Sequence, residues 1–238
     1  MKQLIIIPAR MGSKRLKNKP MINLKGKTMI ERTFLQCVKA FDRNLIYVAT
    51  DSITILNHCK KKNMNCILTS KNCLTGTDRV AEVANKIKAD SYINVQGDEP
   101  VFNPTDIKKL VKISKKYPDS ILNGYCEISN IDLYKSVNIP KVVFSKNNNL
   151  LYMSRSPIPG NKKSIFKKAY RQVCAYVFPR KKLLEFKKYK KTKFENIEDI
   201  EILRFLELGF EVKMVKLSQY AKSIDTKSDI KKILSLIN

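Results

Sequence analysis

Three polar segments of this chain combine residue types suited to handling phosphate and metal. The first is Pro8-Ala9-Arg10-Met11-Gly12-Ser13-Lys14-Arg15-Leu16-Lys17-Asn18-Lys19-Pro20. Gly12 permits backbone angles at which successive amide N–H groups turn inward around an anion. Arg10, Arg15 and Lys19 bring positive charge to where a triphosphate would lie. The segment is neither a Walker loop nor a GxGxxG fingerprint, so composition alone also allows a basic surface loop. The second segment, Leu74-Thr75-Gly76-Thr77-Asp78-Arg79-Val80-Ala81-Glu82, reads in isolation as a helix start with capping hydroxyls and an acid in the first turn. The third, Ile93-Asn94-Val95-Gln96-Gly97-Asp98-Glu99-Pro100, is a strand ending in a turn with two acids. Mg²⁺ takes hard oxygen ligands, usually one or two carboxylates, and completes its shell with phosphate and water. Asp98, at a strand terminus beside a phosphate loop, meets that need; an ordinary Asp-Glu-Pro turn is the plain alternative.

Such loops need a scaffold, and the hydrophobic pattern supplies one. Strand-like apolar runs at 4–8, 45–50, 66–68 and 91–95 alternate with helical spacings at 29–40, 53–62, 77–87 and 106–117. This β-α-β-α order implies a mostly parallel sheet covered on both faces. The second half changes character. Strands at 121–128, 141–145, 150–153 and 172–178 have fewer helices between them, which suggests an antiparallel β element. A single helix over 194–208, with Ile197, Ile200, Leu203 and Leu206 on one face, is followed by a strand at 211–217 and a helix from Lys227. The expectation is one α/β domain over 1–238. Ligands in open α/β sheets sit outside the carboxyl ends of the strands, where all three polar segments begin.

Composition narrows the function classes. The six cysteines are scattered without metal-ligand spacing, which argues against a disulfide scaffold or a zinc site, and His58 is the only histidine, which excludes two-histidine chemistry. The net charge of +26 comes from 38 lysines and nine arginines against 21 acids. A lysine excess spread over solvated faces accounts for it, with non-specific attraction to polyanions as the alternative. The densest run, residues 180–193, alternates basic with apolar residues like a solvated helix face. No zinc finger, RNP-type signature or basic zipper is present, so no specific nucleic-acid partner is expected. No apolar run spans a membrane and no signal peptide is visible, so the expected location is the cytoplasm.

The first segment resembles the opening of the sugar-activating nucleotidyltransferases, particularly the 3-deoxy-manno-octulosonate (Kdo) cytidylyltransferases, and residues 24–30 resemble its continuation. Thr75, Gly76, Asp78 and Arg79 match that family's SGTxRxAE stretch, and NVQGDEP at 94–100 matches almost letter for letter. Ser223-Ile224-Asp225-Thr226-Lys227-Ser228-Asp229-Ile230 is similar to its VDTPEDL, residues 151–159 to its YFSRxxIP, and the acid-rich stretch from Phe194 to Arg204 to its LExxExLEQLR. The match runs from about Leu4 to Ile230. It departs where the family typically carries a histidine before a tyrosine four residues on. This chain has Gln172 there, ahead of Tyr176.

The resemblance implies a Rossmann-like, GT-A-type fold in which CMP is transferred from CTP to the anomeric hydroxyl of an acidic 3-deoxy sugar for lipopolysaccharide-type glycan synthesis. Arg10, Lys19 and Asp98 would be catalytic. Pro8, Ala9, Arg10, Ser13, Arg15, Lys19, Thr75, Gly76, Asp78, Arg79 and Gln96 would hold the nucleotide, and Asp98 and Asp225 the Mg²⁺. Gln96, Arg155, Gln172, Tyr176, Glu195 and Glu198 would face the sugar. Arginine suits a bidentate grip on a carboxylate, and Glu195 and Glu198, three residues apart on one helix face, could accept from hydroxyls. Residues 121–180 are expected to contribute sugar-binding and homodimerisation elements. The alternatives are a different acceptor, amino-Kdo or a nonulosonic acid, and a non-catalytic basic nucleotide- or RNA-binding module.

Overall fold

A computed structural model of the chain describes residues 1–12, 16–163, 165–219, 224 and 226–237. In chain order the elements are β1 (Gln3–Ala9), β2 (Asn23–Leu24), β3 (Lys27–Thr28), α1 (Met29–Val38), β4 (Ile46–Thr50), α2 (Ile53–Lys61), β5 (Cys66–Leu68), α3 (Gly76–Lys86), β6 (Ser91–Val95) and α4 (Pro104–Lys116). Then come β7 (Ile121–Glu127), α5 (Ile131–Lys135), β8 (Lys141–Phe144), β9 (Leu150–Ser154), β10 (Tyr170–Pro179), α6 (Arg180–Lys187), α7 (Lys193–Glu198), α8 (Ile202–Glu207), β11 (Val212–Lys216) and α9 (Lys227–Leu234).

The main sheet runs β11-β7-β10-β6-β1-β4-β5. β1 lies parallel to β4 and β6, and β5 continues the parallel set. β10 enters antiparallel between β6 and β7, while β11 runs parallel to β7. The hairpin β8–β9 attaches to the start of β10. The expected α/β fold with a parallel core and an antiparallel addition is therefore present. All seven residues of β1 are buried. That follows from its position, because Leu4 and Ile6 pack into one core while Ile5 and Ile7 pack into the other. α3, α6 and α8 cover the first face, and α1, α2 and α4 the second.

The single helix expected over 194–208 is a correction. α7 ends at Asp199, whose φ of 50° lies in the left-handed region, and α8 restarts at Ile202. Asp tolerates that conformation better than most residues. The break turns Ile197 outward, leaving it 68 % exposed, while Ile200 and Leu203 go into the core. Apolar spacing stayed in helical phase across a break made by one backbone angle. The basic run at 180–193 begins as α6, with Leu183 and Phe186 buried beneath its lysines. Among the described residues, no helix is long and apolar enough to cross a membrane.

Phe205 on α8 joins this layer to the sheet. Its ring stacks 4.5 Å from Phe186 and 5.3 Å from Phe178, and it has no exposed surface. Phe205→Ala should cost roughly 3–5 kcal/mol through lost transfer free energy and the cavity left behind. Urea denaturation should show a lower midpoint at unchanged slope.

Candidate functional site

The loops after β1 and β6 meet at the carboxyl edge of the sheet, and a glycine permits the meeting. A Cβ on Gly97 would sit 2.9 Å from the Pro8 carbonyl oxygen and 3.2 Å from Ile30 Cδ1, so only glycine fits between them. The Gly97 carbonyl accepts from Thr33 Oγ1 at 3.2 Å, anchoring the turn to α1. Asp98 is thereby turned toward the first loop, where Lys19 Nζ donates to its Oδ2 at 2.5 Å. These residues are 79 apart in sequence, and the Lys19 side chain is largely covered. The Asp98 carbonyl accepts from Ile224 N at 3.1 Å, so the C-terminal segment reaches the same turn. Arg10 leaves the end of β1 exposed, after the buried Pro8 and Ala9. Ser13, Arg15 and Asp225 lie outside the described residues.

Glu99 is buried, and its Oε2 has no hydrogen-bond partner among the described residues. Burial, helped by the neighbouring Asp98 charge, pushes its carboxyl up to about 8. Behind the turn, both side-chain atoms of the fully buried Asn94 also lack partners among the described residues.

The start of α3 adds the third wall. Thr75 caps it, accepting from Asp78 N at 3.2 Å and donating to Asp78 Oδ2 at 2.7 Å. A Cβ on Gly76 would lie 3.5 Å from each of Gln96 Nε2, Glu201 Oε1 and Pro8 Cγ, so Gln96, Gly76 and Pro8 come together as expected. The same segment also brings two corrections. Asp78 is buried and accepts from Arg204 Nη1 at 2.9 Å and Nη2 at 3.2 Å. Arg79, also buried, donates to Thr69 Oγ1 and to Asp51 Oδ2, the latter at 3.1 Å. Both matched residues are buried and support the loop from within. Glu201, half-buried, caps this helix start, accepting from Gly76 N at 3.1 Å, Thr77 N at 2.8 Å and Thr77 Oγ1 at 2.6 Å. A carboxylate there satisfies orphan amides at the positive end of the helix.

The residues expected on the sugar side divide. Gln172 and Tyr176 face each other on β10: Gln172 Nε2 donates to Tyr176 Oη and to Asn123 Oδ1, both at 3.1 Å. Asn123 Nδ2 in turn donates to the Val173 and Ala175 carbonyls at 3.0 and 3.1 Å, at the bulge in β10. Burial holds the Tyr176 phenol well above its ordinary range, so it remains a neutral hydroxyl. Glu195 is a correction. It is 1 % exposed and forms a two-point ion pair with Arg204, at 2.7 Å on each oxygen, so it is unavailable to sugar hydroxyls. Glu198 accepts from Ser154 Oγ at 2.6 Å and Arg155 N at 2.8 Å, clamping α7 to the end of β9. Arg155 directs Nε, Nη1 and Nη2 at the carbonyls of Glu198, Val137 and Asp199, at 2.5, 2.9 and 3.0 Å. Its guanidinium shapes the loop as much as it faces outward.

Sequence reading passed over Glu201, Asn123 and Asn94. Glu201 carried a signal, being the last of the acids in the stretch resembling LExxExLEQLR. An unbroken helix would have placed it off the Glu195–Glu198 face, and only the break at Asp199 brings it to α3. His58 is remote from this chemistry. Its Nε2 lies 2.9 Å from Thr28 Oγ1, and burial lowers its pKa below the ordinary value.

Residues 4–221 match the family model described as cytidylyltransferase. The chain is 34 % identical over 236 residues to the 3-deoxy-manno-octulosonate cytidylyltransferase of Protochlamydia amoebophila, covering 96 % of this chain and 91 % of that one. It is 33 % identical over 233 residues to the 8-amino-3,8-dideoxy-manno-octulosonate cytidylyltransferase of Shewanella pealeana, covering 95 % of each. Its fold superposes with a TM-score of 0.92, at 30 % identity and over 99 % of this chain and 98 % of the other, on CMP:2-keto-3-deoxy-manno-octonic acid synthetase solved with CTP.

Gly97→Ala tests the contact between the two loops. Overpacking against a backbone oxygen should cost about 1–3 kcal/mol. It should also separate Asp98 from Lys19, so activity per folded molecule should fall by more than the loss of stability explains. Steady-state rates at a temperature where circular dichroism shows the variant folded provide the check.

Proposed function

The chain belongs to the cytidylyltransferase family, and from that premise we propose that it transfers the cytidylyl group of CTP to the anomeric hydroxyl of a 3-deoxy-2-ulosonic acid, Kdo or its 8-amino relative. The observation that carries this reading is the convergence of the Lys19–Asp98 pair, Gln96 and the start of α3 at one edge of the sheet. The sugar hydroxyl attacks the α-phosphorus of CTP, the bond to the β,γ-phosphates breaks, and pyrophosphate leaves with CMP-sugar as product. No covalent protein intermediate is needed. Positioning and charge neutralisation carry such transfers.

In this reading Arg10 and Lys19 offset the negative charge of the triphosphate. Gly76 and Gln96 lie against the nucleotide, and Gln96 faces the junction with the sugar. Gln172 and Tyr176 present a neutral polar wall to the acceptor. The donor set also fits a magnesium ion: Asp98 offers a hard carboxylate oxygen beside a loop suited to phosphate, and Asp225 would be the second ligand. Bound Mg²⁺ supplies Lewis-acid polarisation of phosphate oxygens and of the attacking hydroxyl. Lys19 holds the Asp98 carboxylate in place for it. Because His58 is held on Thr28 away from these loops, a histidine base has no part in the reaction.

A second copy of the chain is part of the reading. Val137, Leu151, Phe194 and Ile197 are exposed at 64, 63, 43 and 68 % around β9 and α7, the kind of apolar surface a homodimer covers. The reaction would belong to the assembly of lipopolysaccharide-type glycans in the cytoplasm.

Purified protein given Mg²⁺, CTP and Kdo should release pyrophosphate, while ATP, GTP and UTP should not substitute for CTP. Amino-Kdo and nonulosonic acids in the same assay identify the preferred acceptor. Asp98→Asn should lower turnover by about 10²-fold or more, the scale seen when a preorganised electrostatic group is removed, with the thermal midpoint little changed. Full activity in that variant would remove Asp98 from the metal site. No release with any acid would favour a non-catalytic nucleotide-binding protein.

A further inference from the structure

Among the described residues, Arg204 is the largest side chain with no exposed surface. A guanidinium carries five N–H donors and no acceptor. Here all five are used. Nε and Nη2 donate to the two oxygens of Glu195, Nη1 and Nη2 to the two oxygens of Asp78, and Nη1 also to the Tyr189 carbonyl at 3.1 Å. The flat face rests 3.8 Å from the Phe186 ring centroid. The partners come from three separate places: α7, the first turn of α3, and the loop after α6. One cation therefore determines how α8 sits against all three.

The residue this arrangement positions is Glu201. It lies one helical turn before Arg204, and the Arg204 N–H donates to its carbonyl at 3.3 Å. From there its carboxylate reaches the Gly76 and Thr77 amides and stands beside Gln96 and Pro8. On the other side, Glu195 belongs to the capping box of α7, the helix whose Glu198 clamps Ser154 and the Arg155 backbone. Stability does not require this design, because a buried ion triad is often no better than well-packed apolar residues of similar volume. Its distinguishing property is direction: two bidentate pairs and a stacked face leave Arg204 no rotational freedom.

We propose that Arg204 is a positioning residue for the transfer reaction. Through Asp78 and Glu195 it sets the register between the nucleotide-facing start of α3 and the sugar-facing segment 198–201, so that both substrates meet at Gln96 and Glu201. The proposal rests on the cytidylyltransferase reading of this site.

Arg204→Lys keeps the charge and loses the fork. It should fold with a lowered thermal midpoint, and kcat should fall about 10²-fold, the scale of a misplacement near 1 Å. The KM for the sugar acid should rise. The KM for CTP should rise as well, because Asp78 anchors the start of α3, where Gly76 lies against the nucleotide. Hydrogen exchange at the Gly76 and Thr77 amides should accelerate relative to α1 amides, which reads the same positioning without turnover. If Arg204→Lys does not fold, Glu195→Gln is measured in its place, with the same pattern expected from the weakened α7 arm. A folded variant with lowered thermal midpoint but unchanged kcat, both KM values and Gly76–Thr77 exchange would overturn the proposal. Wild-type protein that releases no pyrophosphate, yet whose variants show the selective exchange change, would sink the cytidylyltransferase reading and leave the positioning intact.

Discussion

A buried guanidinium cannot turn to water for a missing hydrogen bond, so every donor of Arg204 must be met from inside the protein, and the surrounding elements are arranged accordingly. Two carboxylates come to it from positions 126 and nine residues away. Removing one partner of such a group leaves an uncompensated charge, at a cost of roughly 3–5 kcal/mol. The helices that supply those partners are short: α7 and α8 have six residues each. Helices of that length have little stability of their own and depend on tertiary contacts. The ion triad and the Phe178–Phe205–Phe186 stack supply those contacts, and they meet at Phe186.

The site lies on the far side of this layer, where the chemistry of the exposed groups differs from that of the interior. The protein carries a large positive charge, yet acids gather at the carboxyl edge of the sheet: Asp98 and Glu99 after β6, Glu201 against the start of α3, and Glu198 and Asp199 toward β9. Lys19 balances Asp98 at contact distance. A lysine-rich exterior attracts polyanions non-specifically, whereas the acids are gathered at this edge. Glu99, pushed toward neutrality by burial, is kept from adding a further full charge beside Asp98.

Insertion of β10 in the opposite direction shapes the other half of this edge. Its first residues stand at the same edge as the ends of β1 and β6, so Gln172 and Tyr176 reach the site from a strand rather than a loop. The bulge between Val173 and Tyr176 is filled by the Asn123 amide, which uses its donors on the strand and its oxygen on Gln172. Gln172 therefore belongs to a network of neutral amides and a phenol. Such a wall can both donate and accept without changing charge near neutral pH.

The sequence alone carried the α/β order, the parallel core and the three loops, because strand burial and loop chemistry are written in neighbouring residues. The apolar run of β1, the glycine in NVQGDEP and the basic residues before Pro20 are each visible as local patterns, although Gly97 and Lys19 find their partners far along the chain. The closeness of Lys19, Asp98, Gln96 and Gly76 could be read through family likeness, and the fold brings them together. Only the tertiary structure could decide the roles of the acids. Asp78, Glu195, Glu198 and Glu201 are chemically alike and lie in polar segments, yet two are interior partners of one arginine, one clamps a strand, and one faces the site. A single left-handed angle at Asp199 made that division by turning the expected helix into two. A carboxylate's function depends on which cation or amide reaches it in space, and spacing along the chain does not encode a partner more than a hundred residues away.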